Sequence, residues 1–180
     1  FLKSGPGFGG SCFKKDILNL IYICKYYGLK EVADYWNQVL KINQWQQNRL
    51  TNIIVNKLFG TLTNKKIGVL GFAFKANTND TRESPAINIC TNLLLEGAHL
   101  SIYDPKVSEN KILENLKDSI HAKLDSFEIK KSVTIATSYE QIASGADAIL
   151  IITEWDDFKE IEWSNISELM RNPAWIFDCR

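Results

Sequence analysis

Cys12 stands at the end of a glycine-rich loop, GPGFGGSCFKKD from Gly5 to Asp16, that leads straight into a helical pattern. Glycines let a backbone pass close to a ligand and adopt positive φ, and a helix start offers free amide hydrogens to an anion. The same place activates a thiol. A cysteine in the first turn feels the positive end of the helix dipole, and Lys15, three residues on, adds a second positive charge. Both raise the thiolate fraction, and Asp16, four residues on, is placed to orient a water or serve as an acid or base partner. Taken alone, these residues leave a second reading open: a flexible hinge capped by Ser11, with Cys12 buried as a small hydrophobe.

A second chemical segment is KIGVLGFAFKANTNDTRES, which follows the pattern of a first strand. A dinucleotide fold places G-x-G-x-x-G at this turn. Here Gly68 and Gly71 are followed by Phe74 and Lys75, so the fingerprint fails. The loop instead brings Lys75 and Arg82 to the carboxyl end of the sheet, where open α/β folds bind ligands, and a phosphate-bearing group is the natural expectation. Asp104 ends the next strand, either as an acid for a ribose or as a turn former before Pro105. Glu154 and Trp155 follow the fourth strand, where packing is the favoured reading. Arg180 follows the last strand; its fork suits an oxyanion, although a terminal position can equally fray. His99 opens a strand and His121 lies in a charged stretch, and neither reads as a ligand.

The elements that must position these groups are legible in outline. The sequence has 180 residues, 45% apolar, enough for one domain or for a domain with a helical appendage. Lysine plus arginine equals aspartate plus glutamate at 21 each, which argues against nucleic-acid or anionic-membrane binding. The longest apolar runs, such as Ala148 to Ile152, are strand-sized and exclude a membrane-spanning helix. The first residue is phenylalanine and no leader can be read, so an excised piece of a longer protein is expected. Cys12, Cys24, Cys90 and Cys179 are too scattered for a C-x-x-C pair or a metal set with the histidines, and reduced thiols in a cytoplasmic protein are expected.

KKDILNLIYICKYYG is apolar almost all round and closes at Gly28, so the helix needs cover from a partner subunit, an absent domain, or both. A second helix is expected from about Lys30 to Leu58, polar in its middle at NQWQQN apart from Trp45. At ~1.5 Å per residue it spans roughly 40 Å, long enough to connect domains or to pair across a dimer. After Gly60 strands and helices alternate, the pattern of a parallel-sheet α/β domain, with strands expected at Lys66–Leu70, His99–Tyr103, Val133–Ala136, Ala148–Ile152 and Trp175–Phe177. Ser84 and Pro85 start a helix that Gly97 ends, and the charged stretch from Pro105 to Lys131 reads as surface helix and loop.

Together, GFGGSCFKKD, GFAFKANTNDTRESPA, IYDPKV, TEWDDFKE and IFDCR resemble the UDP-glucose 6-dehydrogenase family, in the family's order and over nearly the whole chain. Lys14 stands where many bacterial members have proline, and Cys179 where a glycine is common. The resemblance implies a catalytic loop and central helical dimerisation region over residues 1–60, followed by a Rossmann-like UDP-sugar-binding domain over 61–180. The NAD-binding domain of such enzymes lies N-terminal to these parts and is expected to be absent from this chain.

By the same resemblance Cys12 is the nucleophile that carries the sugar C6 carbon through a thiohemiacetal and a thioester, supported by Lys15 and Asp16. The resemblance further assigns Lys3, Ser4, Gly5, Pro6, Gly7, Phe8, Gly9, Phe74, Lys75 and Arg180 to the sugar nucleotide. It assigns Cys12, Phe13, Lys14, Lys15 and Arg82 to NAD. The implied partners are UDP-glucose, UDP-glucuronate and a second copy of the chain, as a dimer or higher homo-oligomer. Dehydrogenases of GDP-mannose or of UDP-N-acetylhexosamines share this architecture and remain alternatives, as does a non-catalytic nucleotide-binding or dimerisation module.

Overall fold

The structure is a computed structural model that describes residues 4–120 and 126–180. Lys3 and His121, both weighed above, lie outside the described residues. Five strands form one all-parallel sheet: β1 (Lys66–Leu70), β2 (His99–Tyr103), β3 (Val133–Ile135), β4 (Ala148–Ile151) and β5 (Trp175–Asp178), in the order β3-β2-β1-β4-β5. Central strands of a parallel sheet are covered on both faces and so read as continuous apolar runs. KIGVL and AILI obey this: Ile67, Val69, Leu70, Ala148, Ile149 and Leu150 are all buried. Strand order runs one way from β1 to β3 and the other way from β4 to β5. The reversal opens a crevice beyond the carboxyl ends of β1 and β4, the place where such sheets take ligands.

The sheet is flanked by helices whose boundaries follow local chemistry. In α3 (Pro85–Leu95), Ser84 sits in extended conformation and its hydroxyl accepts the Ala86 amide, while Pro85 occupies the first turn, where an N–H has no intrahelical partner. Helix α4 (Glu109–Ile120) buries Ile112, Leu116 and Ile120, one stripe at four-residue spacing, and solvates its charged remainder. Three short helices, α5 (Ser126–Ser132), α6 (Tyr139–Ala143) and α7 (Trp163–Leu169), and a 3-10 turn at Asp156–Glu160 complete the layer. At the amino edge Asp147 accepts the Lys66 amide at 2.8 Å and pairs with Arg171 at 3.3 Å, fixing β1 to β4.

The N-terminal helices α1 (Phe13–Tyr26) and α2 (Lys30–Lys57) form an antiparallel hairpin turning at Gly28. They share a separate, small cluster of Ile17, Ile21, Cys24 and Ala33. Ile54, near the end of α2, and Leu58, just beyond it, belong to the main core instead. The expected all-round apolar character of α1 is real, but the chain covers only one side: Leu18, Tyr22 and Ile23 remain 48%, 67% and 42% exposed. Among the described residues no helix is long and apolar enough to cross a membrane.

Candidate functional site

The glycine loop lies against the middle of α2, and polar side chains hold it there. Asn43 accepts the Phe8 amide at 2.8 Å and donates its own amide to the Phe8 carbonyl at 3.1 Å. Gln46 donates to the Gly5 carbonyl at 3.3 Å. Gly7 has φ +125°, and a Cβ there would stand 2.6 Å from the Asn43 carbonyl oxygen, so both its conformation and its lack of a side chain are required. On the other side the loop abuts the segment after β1: the Gly10 amide donates to the Arg82 carbonyl at 2.9 Å, and a Cβ on Gly9 would collide with the Glu83 carbonyl. Two regions about seventy residues apart in sequence are thereby joined at their backbones.

Cys12 is exposed at the N-cap of α1, with the Ser11 hydroxyl 3.6 Å from its sulfur. The buried-thiol alternative is thus not what the structure shows for this cysteine. Phe8 and Phe13 pack with ring centroids 4.9 Å apart beside it. Lys14 reaches across to Glu83 at 2.7 Å, bracing the start of α1 against the 80–84 turn. Lys15 and Asp16 are exposed, and the Asp16 amide donates to the Cys12 carbonyl at 2.8 Å as the first helical turn closes.

Arg82 is 67% exposed and grips Asp80 in a bidentate pair, its terminal nitrogen 2.7 Å from the carboxylate. Asp80 is drawn down to about 2, first by the hydrogen bonds from the Arg82 side chain. Arg82 is raised in turn, chiefly by Asp80, with a last, smaller contribution from the nearby Cys12 sulfur.

The other end of the site is cationic. Arg180 is not frayed: its Nε lies 2.8 Å from both the Ile152 carbonyl and a Glu154 carboxylate oxygen, and a terminal nitrogen reaches the Phe74 carbonyl at 3.4 Å. Its guanidinium also packs on Gly5, where a Cβ would lie 2.9 Å away. A cleft of ≈ 450 Å³ opens here between Gly5, Gly7, Phe8, Trp45 and Arg180. Another, of ≈ 570 Å³, lies on the sheet side of the same arginine, with Ser4, Asn77, Glu154 and Trp163 on its walls. Pro6 is buried beneath the loop. Lys75 is exposed with its ammonium 5.4 Å from the Phe74 ring centroid, and that ring packs against Gly10.

The structure therefore brings Ser4 to Gly9, Phe74 and Arg180 together, ties Phe74 and Arg82 to the thiol loop, and leaves Lys75 exposed beside the Phe74 ring. Asp104 takes the turn-forming alternative: its two oxygens accept the amides of Phe72, Ala73, Lys106 and Val107, and the Trp155 indole at 3.3 Å. Trp155 is buried, as packing requires, and its neighbour Glu154 is an ion-pair partner of Arg180. The sequence reading missed Asn43, Gln46 and Gln47. Polar residues spaced i, i+3, i+4 inside a long helix carried the signal, because that spacing aligns them on one face.

Comparison with known proteins fits this geometry. Residues 1–45 match the central domain and residues 68–180 the UDP binding domain of the UDP-glucose/GDP-mannose dehydrogenase family. UDP-glucose 6-dehydrogenase 3 of Arabidopsis thaliana is 50% identical over 187 aligned residues, and UDP-glucose 6-dehydrogenase 1 of Glycine max is 47% identical over the same length. Both alignments take in 100% of this chain and 39% of the relative, so the chain spans well under half the length of these curated relatives. Among solved structures, a UDP-glucose dehydrogenase from the hyperthermophilic archaeon Pyrobaculum islandicum superposes with a TM-score of 0.72 at 28% identity, over 98% of this chain and 35% of that one. With a parallel sheet, a glycine loop bearing an open thiol and matches over both segments, the chain belongs to the UDP-glucose/GDP-mannose dehydrogenase family.

Proposed function

We infer that this chain forms the thiol-bearing and sugar-nucleotide-binding part of an NAD-dependent UDP-glucose 6-dehydrogenase, which oxidises UDP-glucose to UDP-glucuronate. The observation that carries the reading is the loop from Ser4 to Cys12, which has Arg180 beside a cleft at one end and an exposed thiol at the other. In this reading residues 1–60 carry the catalytic loop and pairing helices, and residues 61–180 form the unit that takes the UDP portion. Lys3, Ser4 to Gly9, Phe74, Lys75 and Arg180 bind the sugar nucleotide. Arg180 supplies a fork for the diphosphate, and ligand oxygens replace the Glu154 carboxylate that now faces it.

Oxidising an alcohol to an acid removes two hydrides and needs a tetrahedral centre for the second. In the first half the C6 alcohol loses a hydride from its carbon and a proton from its oxygen to become an aldehyde. The Cys12 thiolate then adds to that aldehyde, its carbonyl oxygen takes a proton, and a thiohemiacetal results. Loss of the second hydride and the hydroxyl proton gives a thioester, and water releases the carboxylate and restores the thiol. Asp16 and Lys15, exposed in the first turn, are placed to exchange those protons with solvent. NAD, when bound, accepts the hydrides. Cys12, Phe13, Lys15 and Arg82 form an exposed basic rim that fits its diphosphate, while Lys14 braces this rim through Glu83. The rest of its site would be supplied by protein outside this chain.

The uncovered side of the hairpin, with Leu18, Tyr22, Tyr26, Val32 and Tyr35 all exposed, supports pairing of two copies through α1 and α2. The reading is tested in the full-length protein with NAD and a panel of UDP-glucose, GDP-mannose and UDP-N-acetylhexosamines. Two equivalents of NADH per UDP-glucose are expected, and Cys12→Ser should block acid formation. Four-electron oxidation that survives Cys12→Ser overturns the mechanism, and turnover of another nucleotide sugar in preference overturns the substrate.

A further inference from the structure

Resting on that reading, we propose that Asn43, on the long helix rather than on either ligand-bearing loop, is the positioning residue of the nucleophile loop. Its side-chain amide meets the backbone of Phe8 as a residue on a neighbouring strand would, accepting the N–H at 2.8 Å and donating to the C=O at 3.1 Å. The contact spans 35 residues of sequence. The opposite amide orientation would set donor against donor and acceptor against acceptor, so only one orientation satisfies the pair. The Gly7 position closes over the same oxygen, with room for no side chain.

The consequences run directly to the thiol. Phe8 is fixed at its backbone, its ring packs on Phe13, and Phe13 is the first helical residue after Cys12. Gln47, one turn along α2, packs beneath Gly7 and is only 3% exposed; its carbonyl oxygen accepts the Asn88 amide at 2.7 Å, which ties the same face of α2 to α3. Glycines make the loop permissive, so its own sequence does not select one conformation. Asn43 supplies the selection by satisfying both backbone polar groups of a single residue, Phe8, inside a partly buried contact, where leaving either unpaired is costly.

The test uses full-length protein carrying Asn43→Ala or the near-isosteric Asn43→Asp, whose carboxylate still accepts the Phe8 N–H but repels its carbonyl. Iodoacetamide alkylation of Cys12 is read first, without substrate or cofactor, across a pH series. NAD reduction with UDP-glucose is read second. Both variants should keep the native circular dichroism and the protection of Cys90. Alkylation of Cys12 should change at least ~5-fold, and kcat should fall ~10-fold or more, because the nucleophile is misplaced. Alkylation and kcat within ~2-fold of the parent in a folded variant overturn the proposal, as does loss of fold in both variants, which would make Asn43 a stability residue. The alkylation arm is independent of turnover. If Cys12→Ser retains full oxidation, the functional reading fails while the loop measurement still stands or falls by itself.

Discussion

Around the sheet, α3, α4, β1, β2 and β4 bury a continuous apolar core that also takes in the C-terminal end of α2. The α1–α2 hairpin, by contrast, buries Ile17, Ile21, Cys24 and Ala33 and leaves Tyr22, Tyr26 and Tyr35 at 67%, 74% and 68% exposed. The first region satisfies its own hydrophobic requirement. The second does so only in part, although it bears the thiol. The difference separates where the fold is made stable from where the exposed thiol is presented, and only α2 runs through both.

The thiols give the sharpest way to break this contrast. Burial pushes Cys90 up to about 12, and burial followed by the Asp178 carboxylate does the same to Cys179. At pH 8 a thiol with that value is ionised to about one part in ten thousand. Timed alkylation with mass spectrometry should therefore label exposed Cys12 first. Cys24, buried only in the small cluster, should follow as the hairpin opens, and Cys90 should come last and at a rate set by global unfolding. Labelling of Cys90 before Cys24 would reverse the ranking of the two regions.

Core substitutions come next in size. Ile102→Ala, at a position of zero exposure, should lower the unfolding free energy by about 2–5 kcal/mol in a denaturant titration. Ile21→Ala should instead speed hydrogen exchange in α1 while leaving the protection of β1 amides unchanged. Equal losses at both positions would show one cooperative unit. A smaller penalty, about 1–3 kcal/mol, is expected for Gly71→Ala. Its φ of +90° suits glycine, and the new methyl would press on Thr153, whose hydroxyl donates to the Ala73 carbonyl at 2.7 Å. That variant should melt earlier without altering Cys12 alkylation.

How much of this could be read beforehand follows from which signals are local. All five strands lie within a residue of their expected limits, because a parallel strand is an apolar run bounded by turn residues, and β1 and β2 match at both ends. Ser84, Pro85 and Gly97 mark α3 by rules of capping that need no tertiary context. The loop bearing Cys12 was recognisable from its glycines and the helix that follows. Polar residues acting at long range were not legible. NQWQQN reads as solvated surface until the loop is laid upon it, and Asp104 reads as a ribose ligand or a turn until five donors are found around it. Arg180 was named for its charge, but its partners, Ile152, Phe74 and Glu154, are 28 or more residues away for the two carbonyls and lie on other strands' ends.

The smallest expected effect concerns the rim. Asp80, held at about 2 by Arg82, has a folded value below its unfolded one near ~3.9. Its contribution to stability is thus complete above the unfolded value and is lost as pH falls toward 2. Carboxyl NMR should place its midpoint near 2, and Arg82→Ala should return it toward the ordinary range while the melting curve at neutral pH changes little. A midpoint near 4 in the parent protein would mean that the Arg82 pair is not held in solution.

Arg180 rests against Gly5, so residues from opposite ends of this sequence share one wall of a cleft. During synthesis the guanidinium follows Gly5 by 175 residues, and its place is fixed only once β5 has been added to the sheet's edge. Such a long closure is slow to form and quick to be lost when the terminal strand detaches. A polypeptide in which β5 is unmade or clipped away therefore holds the exposed sulfur without the cation on the same loop's cleft, and assembly of the pair reports that β5 has docked.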